Sequence, residues 1–154
     1  MIELDERFEV PATPRAVWQV LSDPHAVVAC VPGASLGAER ADGSFDASLT
    51  VKFGPVRVGF EAQVRLELND AAMQGQLTAQ GKDQQGGTRV HGSMRFTVSE
   101  QGSGSLVTLD GQVELTGRLA SLIEGGATAV VKNMSREFAS ELAVRCDSLL
   151  EGRA

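Results

Sequence analysis

Apolar and polar residues alternate along most of this chain, in one segment after another. Over residues 56–68 every even-numbered position is apolar, whereas charged residues, glutamine and one glycine occupy the positions between them. A period of two is typical of a β-strand with one buried and one solvated face. We expect a long strand here, with an outer face that carries no site. The same alternation predicts strands over residues 2–10, 45–53, 73–79, 90–98 and 107–115, and one after Pro32-Gly33.

Short turns separate the predicted strands. Asp42-Gly43, Gly54-Pro55, Asn69-Asp70, Gly86-Gly87 and the segment 102–104 are typical turn sequences. Asp-Gly suits a two-residue hairpin, because glycine takes a positive φ without a steric cost. Strands joined by such short links run antiparallel.

Two short helices are predicted after the first strand. Thr13 is a typical N-cap and Pro14 a typical first helical residue, and Asp23-Pro24 repeats the pattern. The second helix ends near Pro32, because a residue that precedes proline avoids the α region. The segment 23–35 is thus predicted to be a short apolar helix followed by a Pro-Gly turn.

From Leu119 onward the hydrophobic period changes to 3.6, which predicts one long amphipathic helix. Gly125-Gly126 interrupts it, at a cost of about 1 kcal/mol per glycine relative to alanine. The apolar stripe of this helix consists of Leu119, Leu122, Ile123, Val130, Val131, Met134, Phe138, Leu142, Cys146 and Leu149.

Together these elements predict an α+β fold within a single domain, 1–154, in which a seven-stranded antiparallel sheet wraps around the long helix. A single helix does not touch a curved sheet everywhere, so we expect a concave apolar pocket of the kind that small molecules occupy. Aromatic residues are only 5% of the chain, and tyrosine is absent, so complete filling of the interior is not expected.

Composition excludes several classes of function. A formal charge of −6 argues against a nucleic-acid partner, because binding to phosphates needs clustered Lys and Arg. The chain has neither a typical export signal nor an apolar run long enough to span a membrane. Cys30 and Cys146 are far apart in sequence and are expected to be reduced thiols of a cytoplasmic protein.

Candidate catalytic groups are few. His25 is expected to be exposed at the start of the second helix, and His91 to lie on the solvated face of its strand. No metal-ligand or nucleotide-binding spacing occurs, so we expect no catalytic residue, no metal and no cofactor. Cys30 is expected to be a small buried hydrophobe.

Glu6 departs from the pattern, because its position in the first strand has the same parity as the apolar Leu4 and Phe8. Burial of an unpaired carboxylate is costly. Either a bulge or an edge position releases Glu6 to solvent, or it is a polar group that orients a ligand in an apolar pocket. Gly81, Gly92 and Gly111 lie within predicted strands and are expected to mark bends.

Several segments resemble a known family. The sequence FEVPATPRAVWQVLSDP at 8–24 resembles the opening of the START-like (SRPBCC) helix-grip superfamily. Within that superfamily, VVACVPGAS at 27–35, VKFGPV at 51–56 and LTGRLASLIEGGATAVVKNMSREF at 115–138 resemble the family of the carbon monoxide dehydrogenase G subunit. The resemblance implies a sheet that grips the long helix around a hydrophobic cavity, with the segment 23–35 as its wall or gate.

The resemblance also implies a function. Members of this family assist a molybdenum hydroxylase of the carbon monoxide dehydrogenase type by assembly, membrane recruitment or delivery of a lipophilic molecule. Longer members continue with a tail that reaches the membrane; the sequence here ends at Ala154, so we do not expect a membrane anchor. No catalytic residue is carried over.

The leading hypothesis is therefore a non-enzymatic accessory protein that binds a hydrophobic small molecule or lipid, a quinone being chemically reasonable. The alternatives are a polyketide cyclase-like enzyme that uses the same cavity, and a protein-binding adaptor with a closed cavity; a homodimer is left open. The residues expected to line the cavity are Glu6, Phe8, Trp18, Val27, Val31, Phe60, Met94, Phe96, Val130, Met134 and Phe138.

Overall fold

The computed structural model describes the backbone of residues 1–152 and the side chains of residues 1–147. It contains the predicted strands and helices in the predicted order. They are β1 (Ile2–Val10), α1 (Pro14–Leu21), α2 (Pro24–Cys30), β2 (Ala34–Glu39), β3 (Phe45–Phe53), β4 (Val56–Asn69), β5 (Gln74–Asp83), β6 (Thr88–Gln101), β7 (Gly104–Gly117) and α3 (Ala120–Gly152).

All seven strands form one antiparallel sheet in the order β1-β7-β6-β5-β4-β3-β2. Hairpins join consecutive strands from β2 to β7. Strand β1 pairs with β7, so β1 and β2 are the two edge strands of the sheet. The fold class predicted from the sequence is confirmed, including the two short helices after β1 and the long C-terminal helix. The sheet has one apolar face, called the inner face here, and one polar outer face.

Both short helices begin as the sequence predicts. The Thr13 side chain accepts a hydrogen bond from the Ala16 backbone N–H at 3.3 Å, and Asp23 Oδ1 accepts one from His25 N–H at 3.0 Å. Trp18 anchors α1 to the far end of the sheet, because its indole N–H donates to Asp70 Oδ1 in the β4–β5 turn at 2.9 Å. The N-caps therefore fix where the two short helices begin, and the Trp18–Asp70 hydrogen bond fixes α1 to the sheet.

The sequence misplaces one residue, Met73. It was expected to begin the fifth strand, but β5 starts at Gln74, and Met73 lies in the preceding turn with a φ of 51°. Its N–H donates to the Asp70 carbonyl and its carbonyl accepts from Val98 N–H at 3.0 Å. The turn thus needs a left-handed residue here, and the apolar side chain still packs into the core.

The long helix runs without a break over 33 residues, through Gly125-Gly126. Gly126 lies against the Phe53 ring, where an added Cβ would be 3.3 Å from Cδ1, whereas Gly125 has open space around it. The absence of a side chain at Gly126 therefore allows close approach of helix and sheet. Leu149 of the predicted apolar stripe lies outside the described side chains.

The core is divided into two clusters. The α1–α2 cluster lies under the short helices, and the β3–β4 cluster lies near the start of α3. The buried residues of the α1–α2 cluster are Val10, Ala12, Ala16, Val17, Trp18, Val20, Leu21, Cys30, Phe96, Val98, Val107, Leu142 and Cys146. Those of the β3–β4 cluster are Val51, Phe53, Val58 and Ile123.

Candidate functional site

A third region of the inner face belongs to neither cluster, and we call it the central band. Along β1, for example, Phe8 packs against the α1–α2 cluster and Ile2 against the β3–β4 cluster, while Leu4 and Glu6 lie between them. The strand registers continue this band across the sheet. Its members are Leu4, Glu6, Ala47, Ala62, Val64, Leu77, Ala79, Gly81, Val90, Gly92, Met94, Gly111 and Val113.

The central band is covered incompletely by the long helix. Helix α3 packs against β1, β3 and β7 and against both short helices, but makes little contact with β4, β5 and β6. Every residue of the band except Gly92 is half-buried rather than buried, although its position faces the inside of the grip. Apolar side chains in this part of the sheet therefore face inward and remain partly accessible.

Several residues of the central band are glycine or alanine, and two of the glycines lie where no side chain fits. At Gly81 an added Cβ would collide with the Glu61 carbonyl and with Ala62 on β4, and at Gly111 with the Ser93 carbonyl on β6. Neighbouring backbones approach these glycines so closely that only glycine fits. The sequence predicts bends at these glycines, and the structure shows instead a close approach of neighbouring backbone at Gly81 and Gly111; at Gly92 the nearest atoms are 3.3 Å from an added Cβ.

The residues expected to line a cavity lie at different depths around the central band. Phe8, Trp18, Val27, Phe96 and Phe138 belong to or pack against the α1–α2 cluster. Phe60, Val130 and Met134 pack against the β3–β4 cluster. Glu6 and Met94 lie in the band itself, and Val31 caps the end of α2.

Two of these expected residues are tightly packed. Trp18 and Phe96 are only 7% and 5% exposed, and their ring centroids lie 6.0 Å apart. Phe8 and Phe138 meet edge to face at 5.9 Å and close the same end of the band. The aromatic residues therefore form its end wall, while the smaller residues of the band lie along its floor; of these, the sequence singled out the three glycines but not Ala47, Ala62 or Ala79.

Glu6 is the ionisable side chain of the central band, at the border that edge strand β1 forms. The β1–β7 register is continuous from Ile2 to Val10, so no bulge turns Glu6 away, although β1 is an edge strand. The side chain is half-buried beside Leu4 and Phe8, opposite Leu109. No bulge releases Glu6, but the other half of that explanation, an edge position, is present, because β1 is the edge strand of the sheet.

The buried polar groups stabilise turns and caps. Thr88 Oγ1 accepts a hydrogen bond from Leu119 N–H at 2.8 Å, and Ser105 Oγ donates to the Ala12 carbonyl at 2.7 Å. Burial acts to raise the pKa of Asp83, but hydrogen bonds from Thr88 and Gly87 outweigh it and hold this pKa below its usual value. These groups are occupied by structural bonds and do not face the band as free reactive groups.

The two histidines occupy the positions that the sequence predicts. His25 is exposed at the start of α2, and His91 is exposed on the outer face of β6. The described part of the chain contains no group of three or more His, Cys, Asp or Glu side chains that could hold a metal ion. Nor does it contain a helix with both the length and the apolar character needed to cross a bilayer.

The two cysteines, distant in sequence, interact in the α1–α2 cluster. Both are free thiols, 1% and 0% exposed. The pKa of Cys146 is raised to about 11, mainly by burial and secondarily by the neighbouring Cys30. Burial also raises the pKa of Cys30, against the opposing effect of Arg145. Neither thiol has the lowered pKa of a nucleophile, so both are structural.

The outer face of the sheet carries a groove that the sequence did not reveal. Its volume is about 1100 Å³, and it crosses the strands from β2 to β7. Charges of both signs line it, including Arg89, Lys82, Glu61 and Glu114, beside His91. The groove is open to solvent and mixed in polarity, and its lining includes Ala47, Ala62, Gly81 and Val90, which also belong to the central band. The central band itself is apolar except for Glu6. Small-molecule sites are mostly apolar and enclosed, so the central band is the better candidate.

Comparisons with known proteins agree with this architecture. The family model of the carbon monoxide dehydrogenase G subunit (CoxG) matches residues 7–146. No curated protein sequence matches the chain. Among solved structures, a conserved protein from Geobacillus kaustophilus has a TM-score of 0.81 at 18% identity, with 96% of each chain covered.

Two further solved structures place the fold in a wider group. A START superfamily protein from Mycobacterium smegmatis has a TM-score of 0.60 at 18% identity, covering 96% of this chain and 98% of that one. An aromatase/cyclase from Streptomyces sp. R1128 has a TM-score of 0.62 at 15% identity, covering 95% and 93%. At such identities the likeness shows a shared START-like fold, and the activity named for the second protein belongs to that protein.

Proposed function

This chain belongs to the CoxG family, that of the carbon monoxide dehydrogenase G subunit, and we propose that it binds an apolar small molecule on the central band as a non-enzymatic accessory protein. The observation that carries the proposal is the half-buried apolar floor between two packed clusters. Unfilled apolar space costs about 24 cal/mol per Å³, a cost that an apolar ligand relieves.

The side chains around the band support binding rather than catalysis. General acid–base catalysis needs a titratable group within hydrogen-bond reach of the reacting atom, commonly with a partner that tunes it. Among the described residues of the band, Glu6 alone is ionisable, and no histidine or metal-ligand group accompanies it. A carrier needs only shape and one orienting group, which is what the band offers.

The family membership suggests the partner. We propose that the protein serves a molybdenum hydroxylase of the carbon monoxide dehydrogenase type in the cytoplasm, by delivering a lipophile or by aiding assembly. A quinone is a chemically reasonable cargo, because such enzymes pass electrons to an acceptor. Apolar α2 lies between α3 and β2 at one end of the grip, so it is the proposed gate.

The binding proposal is tested by filling the space from the helix side. In wild type, the fluorescence of N-phenyl-1-naphthylamine should rise on binding. Val130→Trp introduces a large ring beside the band and should abolish this signal, because Val130 packs on the inner side of α3. Val144→Trp is the matched control on the same helix, since Val144 is 56% exposed, and it should bind the probe as wild type does.

A second variant separates occlusion from misfolding. Ala79→Phe fills the band from the sheet side, where Ala79 is half-buried. Both filling variants should keep the wild-type circular dichroism while losing the probe. If wild type binds no probe, and Val130→Trp unfolds the protein, the interior is solid, and a protein-binding adaptor becomes the better function.

A further inference from the structure

Glu6 is the feature of the central band that a purely apolar ligand does not explain. It lies on the inner face of β1, half-buried, with Leu109 as its cross-strand neighbour. Its carboxylate has no hydrogen-bond or ion-pair partner among the described residues. Half-buried at the edge of the sheet, the carboxylate hydrogen-bonds water, and an apolar ligand on the band that displaces this water must replace the hydrogen bond or leave the carboxylate unpaired.

The position of Glu6 is fixed by its neighbours in β1. Glu6 is held between Leu4 and Phe8 in a continuous register with β7, and α3 packs against β1. Phe8 is itself fixed by the Phe138 ring at 5.9 Å. The carboxylate is therefore presented at the border of the band by neighbours that offer it no donor.

We propose that Glu6 selects, among apolar molecules, those that present a hydrogen-bond donor such as a hydroxyl group to the β1 side of the band. The inference rests on the proposed function and names its ligand class. An ionised carboxylate accepts hydrogen bonds and donates none. A hydroxyl group satisfies it, whereas an ether or carbonyl oxygen at the same place leaves it unpaired and repels it. For a quinone-type ligand, the hydroquinone form is therefore favoured over the quinone.

The test compares two ligands that differ only in this donor. 4-Decylphenol and 4-decylanisole share a chain and a ring, but the methyl ether of the second lacks the O–H group. Each is titrated against N-phenyl-1-naphthylamine bound to the full chain. A hydrogen bond to a charged group predicts that wild type binds the phenol about tenfold more tightly than the ether.

Variants on one strand assign the preference to one side chain. Glu6→Gln keeps the size but removes the charge, and Glu6→Leu removes the polar group altogether; both should lower the preference below about threefold. Glu3→Gln is the matched control, because Glu3 is exposed on the outer face of β1 and should keep the wild-type ratio.

The outcomes separate this inference from the function on which it rests. Equal displacement by phenol and ether in wild type, with the probe bound, overturns the role of Glu6 and leaves the binding function standing. A preference that survives in both Glu6 variants overturns it as well. If the probe itself does not bind, the proposed function fails, and the selection by Glu6 fails with it.

Discussion

The α1–α2 cluster and the central band use similar apolar residues and lie on the same inner face, yet they differ in how completely they are covered. Val17, Val107 and Leu142 of the cluster are 0% exposed. Leu77, Val64 and Val113 of the band are half-buried. The difference comes from what lies above them, since three helices meet over the cluster, whereas one helix spans the band.

This contrast suggests that the two regions of the inner face have different roles. The cluster holds the helices to the sheet through the anchored Trp18 and the aromatic contacts around Phe96 and Phe138. The band is less completely covered, and it is the proposed binding surface. Close packing is the rule in protein interiors, and a region that departs from it while remaining apolar is typical of a binding site.

The largest expected effect compares two leucines. Leu142→Ala in the cluster should lower the free energy of unfolding by about 2–5 kcal/mol, because it leaves a cavity among fully buried neighbours. Leu77→Ala in the band should cost less, about 1 kcal/mol, because its side chain is only partly removed from water. Urea denaturation measures both. Equal losses would mean that the band is packed as tightly as the cluster.

A smaller effect is expected when residues are enlarged instead. Ala16→Leu should destabilise the protein by about 1–3 kcal/mol, since Ala16 is 4% exposed and its surroundings cannot expand freely. Ala79→Leu should change stability by less than about 0.5 kcal/mol, because it extends into the open space of the band. Thermal unfolding followed by circular dichroism compares the pair, and a severe loss in Ala79→Leu would contradict an open band.

The third effect is a pH dependence of the free energy of unfolding, which reports how completely water is excluded from the α1–α2 cluster. The pKa of Cys146 is raised from 9.0 to about 11, so the unfolded chain loses this proton at lower pH than the folded one. The resulting stability is complete below pH 9 and is lost as the pH rises from 9 toward 11. The free energy of unfolding should fall over this range by on the order of 1 kcal/mol more in wild type than in Cys146→Ala.

That subtraction removes the titration of lysines, which occurs over the same range in both proteins. Parallel pH profiles for wild type and Cys146→Ala would show that water reaches the thiol and that the cluster is less closed than its 0% exposure indicates. The thiol should also resist alkylation until the protein is denatured.

Part of the candidate site was predictable from the sequence, because strand parity is a local property. The parity of Glu6 and Met94 places both on the inner face, and the structure agrees. Phe96, chosen by the same reasoning, and Trp18, chosen from the apolar face of α1, prove to be packed into the end wall. Strand parity predicts which face of the sheet a residue lies on, but not how far that residue is from the helix. The sequence therefore could not distinguish the packed residues of the end wall from the partly exposed residues of the band.

Periodicity and turn chemistry by themselves determined the order of elements, their antiparallel pairing and the caps at Thr13 and Asp23, because each depends on neighbours a few residues away. Only the tertiary structure decided that Cys30 lies beside Cys146, that Gly126 admits Phe53, and that α3 leaves β4–β6 largely uncovered. These features depend on the curvature of the sheet and the path of a helix across it. Both are set by contacts between residues far apart in the chain, which a local pattern does not record.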